Sequence, residues 1–225
     1  MKLHSLYVDP SKHRQRYCGP SIISILCGIS TQDAALLIRK KFKKQSVKGS
    51  STEQVLYVLK LFGYKSQFSF ETKEGYWHVP RSLQEDVKWL RESRKIFHRG
   101  NSPTLTKWFE WHRVKPKDNE AYLVICGNHW MVEHKGLMYD NGEPNGIPVA
   151  ESKMKKCRVV LAVKLTQRDI DTSKVLARID RYNESAKNRK KQLAKSRWLR
   201  SLADIGVPDR KRRRGCSTYA DVFPL

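Results

Sequence analysis

An α+β fold with a basic helical appendage is what this amino-acid sequence predicts, and three observations carry the prediction. Apolar residues recur at helical spacing from Tyr17 to Gly63. From Glu120 the period changes to continuous and alternating apolar runs of strand type. Beyond Leu165 the apolar content thins and basic residues accumulate.

The helical part begins at YCGPSIISILCGIS, Tyr17 to Ser30, where a cysteine, a glycine and a proline stand directly ahead of an apolar run. Pro20 suits a first helical turn, where its missing N–H costs nothing. GISTQDAALLIRKKF predicts a second helix capped by Ser30 or Thr31, with Ala34, Leu37, Ile38 and Phe42 apolar. KGSSTEQVLYVLKLFGYKS repeats that logic: Ser51 or Thr52 caps, Val55, Leu56, Val58, Leu59 and Phe62 form the buried face, and Gly63 ends the helix. QFSFE reads as a short strand. SPTLTKWFEWHRVKP reads as a further capped helix stopped near Pro116.

The sheet part starts with AYLVIC, a buried strand, and continues through NHWMVEH into a hairpin turn and then LMYD. CRVVLAVKL, Cys157 to Leu165, is a last strand of buried type. A domain of residues 1–165 and a basic arm of residues 166–225 follow from this reading. The arm holds 16 Lys plus Arg against 7 Asp plus Glu, too little apolar material for a second globular core. AKNRKKQLAKSRWLR contributes Lys187, Arg189, Lys190, Lys191, Lys195, Arg197 and Arg200 without one acidic residue, and DRKRRRG adds Arg212, Arg213 and Arg214. With a net charge of +23 for the chain, these cations are the expected contacts for nucleic acid or another polyanion.

No apolar run approaches the roughly 18 residues that span a bilayer, and MKLHSLYVDP lacks a signal-peptide core, so no membrane span is expected. The five cysteines are odd in number and scattered, and no Cys/His pair shows zinc-ligand spacing. Free thiols in a reducing, cytoplasmic compartment are the expectation, with no metal and no cofactor.

Cys18 is the candidate nucleophile. A thiol attacks as its thiolate, which a helix N-terminus favours through unpaired N–H groups and the macrodipole. Gly19 is expected to leave room for a substrate backbone, whereas Cys27, deeper in the same helix, reads as core. A thiolate needs a histidine to exchange protons, and the histidine an orienting acceptor. His129 opens an apolar strand in GNHWMVEH. If Lys135-Gly136 is a two-residue turn, His134 pairs with Leu137 and Val132 with Tyr139, and Asp140 projects on the His129 face. A loop one residue longer would give Asn141 that role instead. His134 falls on the wrong face. Trp130 and the tryptophans at 77, 89, 108 and 111 are candidates for a substrate groove or for packing, and His13 for substrate contact; His112 reads as a helix-surface residue.

CGPS opening a helix, with NHWMV and YDNG later, resembles the papain-like cysteine peptidases, and most nearly the bacteriocin-processing peptidase-like domains, including small versions carried by bacteriophages. The resemblance covers roughly residues 10–165. It implies a papain-like fold with Cys18 as nucleophile, His129 as general base and acid, Asp140 as orienter, and a polypeptide substrate. It also implies a glutamine upstream of the cysteine that helps to hold the oxyanion, and Gln15 is the only glutamine there.

Two function classes stand on these residues. One is a cysteine peptidase or related amide hydrolase. The other is a catalytically degraded, basic protein that binds nucleic acid or is built into a virion. A basic arm tethering a peptidase to a polyanion would unite them.

Overall fold

Helices form where caps and apolar spacing agree. In the computed structural model, which describes residues 1–8, 17–47, 49–71, 102–111 and 118–205, α1 spans Cys18–Cys27, α2 Thr31–Phe42 and α3 Thr52–Leu61. Ser30 caps α2: its Oγ accepts from the Asp33 N–H at 3.0 Å. Ser51 caps α3 with a reciprocal pair, its Oγ accepting from the Gln54 N–H at 3.4 Å and Gln54 Oε1 from the Ser51 N–H at 3.2 Å. Such a cap contributes about 1 kcal/mol. α1 stops at Gly28, whose φ of 69° lets its N–H reach Ser24 O at 2.9 Å.

α1 is the central helix. Ile22, Ile23, Ile25 and Leu26 are all 0% exposed, and burying each contributes roughly 1.5–3 kcal/mol relative to exposure. Sliding or rotating α1 would expose several of them together. That immobility fixes where its first residue, Cys18, stands.

Six antiparallel strands form one sheet: β1 (Tyr64–Glu71), β2 (Glu120–Cys126), β3 (His129–His134), β4 (Leu137–Tyr139), β5 (Ile147–Pro148) and β6 (Val159–Gln167), in the order β1-β6-β2-β3-β4-β5. β6 lies between β1 and β2, so both its edges are paired, and Val159 to Val163 are buried without alternation. On one face Tyr122, Val124, Met131 and Met138 pack with Leu105 and Trp108 of α4 (Leu105–Trp111). The rings of Trp108 and Tyr122 meet edge to face, 5.5 Å between centroids. On the other face lie Leu123 and Ile125, paired with Val132 and Trp130; α1 packs against β3 and α3 against β1. The chain is therefore α+β.

The β3–β4 hairpin has the register expected from its turn: His134 pairs with Leu137 and Val132 with Tyr139. Lys135 and Gly136 both hold positive φ, 53° and 85°, as a two-residue turn between twisted strands requires. Glu133 reinforces it, Oε1 accepting from the Gly136 N–H at 2.8 Å.

The chain divides into two compact units, Met1–Ile179 and Asp180–Leu225. The first unit ends at Ile179, not at Leu165 as expected. β6 runs on to Gln167, pairing Thr166 with Lys65 and with Glu120, and Arg168 N–H bonds Gly63 O at 3.1 Å. Ile179, 5% exposed, belongs to the same body. Backbone ladders, which an apolar pattern does not mark, carry the unit past the last apolar strand residue. The arm is helical: α5 covers Ser173–Ile205. Among the described residues no single helix is long and apolar enough to cross a membrane. Gln15, His13, Trp77, Trp89, His112, Pro116, Cys216 and the Arg212–Arg214 run lie outside the described residues.

Candidate active site

The site begins with an uncapped helix. Tyr17, at the N-cap of α1, is extended (φ −76°, ψ 135°) and makes no side-chain cap bond, so no capping side chain competes with an anion for the N–H groups of Cys18 and Gly19, Pro20 having none. Cys18 is the first helical residue and is half-buried. Its sulfur is hydrogen-bonded by the His129 side chain and by the backbone N–H groups of Trp130 and Gly19.

His129 opens β3 and is oriented from the next strand. Its Nε2 lies 2.9 Å from Asp140 Oδ2, leaving Nδ1 as the ring atom available to the thiol. Asp140 is itself anchored: Oδ1 accepts from the Gly142 N–H at 2.6 Å and the Glu143 N–H at 2.7 Å. Asp-Asn-Gly-Glu thus folds into a turn around its own first carboxylate, and the second oxygen is left for the imidazole.

The electrostatics follow from these bonds. Burial pushes the Cys18 thiol up, but the His129 and backbone hydrogen bonds outweigh it and hold it below its ordinary value. The hydrogen bond to Asp140, followed by that to Cys18, outweighs burial of the imidazole and raises His129 to about 9. Burial pushes the Asp140 carboxyl up, while His129 and the Glu143 and Gly142 N–H groups pull it down, and the net shift is downward. Both partners of the Cys18–His129 pair therefore move toward the ion pair of thiolate and imidazolium. The other buried thiols move the opposite way. Burial raises Cys27 well above its ordinary value, and burial together with the neighbouring Cys157 raises Cys126. His134, 6% exposed, is directed to the Glu120 carbonyl through Nδ1 at 2.8 Å and takes no part.

Gly19 and Trp130, the two expected substrate contacts, both meet Ser50. The space beside Gly19 is filled from within: a Cβ there would lie 2.5 Å from Ser50 Oγ and 2.6 Å from Ser50 Cβ. Gly19 is needed so that the loop before α3 can press against α1. Trp130 is 4% exposed, and its Nε1 donates to the Ser50 carbonyl at 3.3 Å. Its side chain therefore ties β3 to that loop.

Ser50 and the Trp130 backbone N–H are the site residues that the sequence reading missed. Neither carried a local signal, because each contact joins segments distant in the chain. The Asp140 turn did carry one, in the spacing of Asp, Asn and Gly.

Of the expected cations, Lys187, Arg189, Lys190, Lys191, Lys195 and Arg197 are exposed on α5. Arg200 lies in the same helix. Comparison with family models, with curated proteins and with solved structures gives no match.

Proposed function

We propose that this chain is a cysteine peptidase or a closely related amide hydrolase of papain-like type, with Cys18 as nucleophile. The observation that carries the reading is the ordered set of contacts from Cys18 to His129 to Asp140, with the thiol lowered and the imidazole raised to about 9.

In this reading the Cys18 thiolate attacks the carbonyl carbon of an amide, and the C=O π pair moves onto oxygen. The uncapped first turn of α1 favours that oxyanion. The imidazolium of His129 gives its proton to the leaving nitrogen as the C–N bond breaks, leaving a thioester on Cys18. His129, now neutral, takes a proton from water while the water oxygen attacks the thioester carbon. The C–S bond breaks, the acid departs, and thiolate and imidazolium are restored. Asp140 holds the ring in place and stabilises its charged form. Gln15 would assist at the oxyanion by resemblance to the family.

The exposed cations of α5 favour a second role beside this one: a sequence-independent hold on nucleic acid or another polyanion, which would keep the enzyme near a nucleoprotein or virion substrate. The test of the hydrolase is a panel of fluorogenic peptide amides with mass spectrometry of the protein. Cys18-dependent turnover and an acyl adduct on Cys18 are expected. Equal turnover by Cys18→Ala would sink the proposal.

A further inference from the structure

A cleft of about 550 Å³ opens in the first unit between the C-terminal ends of α2 and α3, the start of β1 and the chain after β6. Its lining includes no residue of the Cys18–His129–Asp140 set. Lys41, Lys60, Lys65 and Arg168, all exposed, stand around it. Among the described residues Glu53 is the only acidic one in the lining. Half-buried Phe42 and Tyr57 supply aromatic surface, their rings edge to face at 5.7 Å, with Lys41 Nζ 5.3 Å from the Tyr57 ring centre.

Part of this charge has a local explanation. Lys41 and Lys60 lie in the last turns of α2 and α3, where a cation complements the helix dipole. Lys65 on β1 and Arg168 beyond β6 have no such reason to converge here. Among the described residues none of the four cations is in an ion pair. Four like charges with one carboxylate among them, Glu53, still repel one another on balance, and an anion placed between them relieves that repulsion. A cationic rim around partly exposed aromatic rings is the combination that holds single-stranded nucleic acid: phosphates contact the rim and bases contact the rings. The volume is in the range of ligand clefts and admits a short segment, not a duplex.

We propose that this cleft binds single-stranded nucleic acid, with Lys41, Lys60, Lys65 and Arg168 on phosphates and the Phe42–Tyr57 pair against bases. The proposal needs neither the chemistry of Cys18 nor the arm. It places a second contact on the folded body, where a strand could be held while the arm tracks the backbone elsewhere.

The experiment uses the full chain and an oligo(dT) carrying 5-iododeoxyuridine, cross-linked by light and mapped by mass spectrometry. Adducts are expected on Phe42 or Tyr57 as well as on the arm. Lys41→Gln, Lys60→Gln and Lys65→Gln combined should remove the cleft adducts but leave the arm adducts. The combined variant should also lower the log–log salt slope of binding by about 2, at roughly 0.7 per lost phosphate contact. An unchanged rate of Cys18 alkylation would show that the triple variant is folded. Adducts confined to residues 180–225 would overturn the cleft while preserving the arm as a polyanion tether. No adducts anywhere would overturn both, and cleft adducts indifferent to the triple substitution would show that the rim does not hold the phosphates.

Discussion

The indole N–H of Trp130 is donated to the carbonyl of Ser50 at 3.3 Å, while the side chain of Ser50 occupies the space that Gly19 leaves empty. Gly19 and Trp130 are also the residues whose backbone N–H groups hold the Cys18 sulfur. One serine in the loop before α3 thus braces the nucleophile helix and the histidine strand against each other.

Trp130→Phe removes the donor and part of the buried ring system, leaving the Ser50 carbonyl short of a partner beside a small cavity, at a cost of roughly 1–3 kcal/mol. Gly19→Ala forces a methyl group into Ser50 and should destabilise by roughly 1–3 kcal/mol. Denaturant midpoints measure both losses. Cys18 should also alkylate more slowly in each variant, and an unchanged rate would show that Ser50 does not set the thiolate geometry.

Cys18 should be the fastest-reacting thiol near neutral pH, because its contacts favour the anion, whereas Cys27 and Cys126 are raised by burial. Limited iodoacetamide labelling and peptide mapping would rank them. Faster labelling of Cys126 than of Cys18 would remove the basis for a nucleophile at position 18.

His129→Ala should cost about as much turnover as Cys18→Ala, since the two act as a unit. Asp140→Asn should cost less, and should lower the His129 pKa by replacing the carboxylate acceptor whose hydrogen bond chiefly raises it. The alkaline limb of the rate profile should then move down from about 9 toward the ordinary imidazole range. A fixed alkaline limb in that variant would mean that Asp140 is not the orienter.

The pH dependence of stability has a definite sign. His129 is raised on folding, so its contribution is complete below the ordinary imidazole value and is lost as pH rises through about 9. Asp140 is lowered, so its contribution is complete above the ordinary carboxyl value of 3.8 and is lost as pH falls through its depressed value. Denaturant midpoints of the parent and His129→Ala should converge above about pH 9 after correction for the constant packing loss. A constant gap from neutral to alkaline pH would contradict the ion pair.

Removing residues 180–225 should leave the Cys18 site reactive and cut most of the affinity for a generic oligonucleotide, because the first unit ends at Ile179. Removing residues 166–225 should unfold it, since Thr166 and Gln167 of β6 and the buried Ile179 go with them. Affinity of the full chain should fall log-linearly with salt, each phosphate contact of the arm adding roughly 0.7–0.9 to the slope. Circular dichroism and salt titrations of the two truncations check this, and salt-independent binding would exclude a phosphate interface.

The sequence by itself determined what short-range bonding controls. Ser30 and Ser51 specify the starts of α2 and α3 because a hydroxyl reaches only the N–H groups of the next turn. Lys135-Gly136 offers a two-residue turn from which strand alternation brings Asp140 to the His129 side, while the choice over a longer loop, which would have presented Asn141, came with the fold. Tertiary structure decided what depends on packing between distant segments. It set β6 between β1 and β2, turned Ser50 into the space beside Gly19, brought the Trp130 N–H to Cys18, and carried the first unit to Ile179. Those contacts form only when both segments are already held by the core, so neither segment's residues signal them alone. The thiol at the start of α1 could be read from YCGPS; its lowered pKa arises chiefly from groups that the fold delivers from more than a hundred residues away.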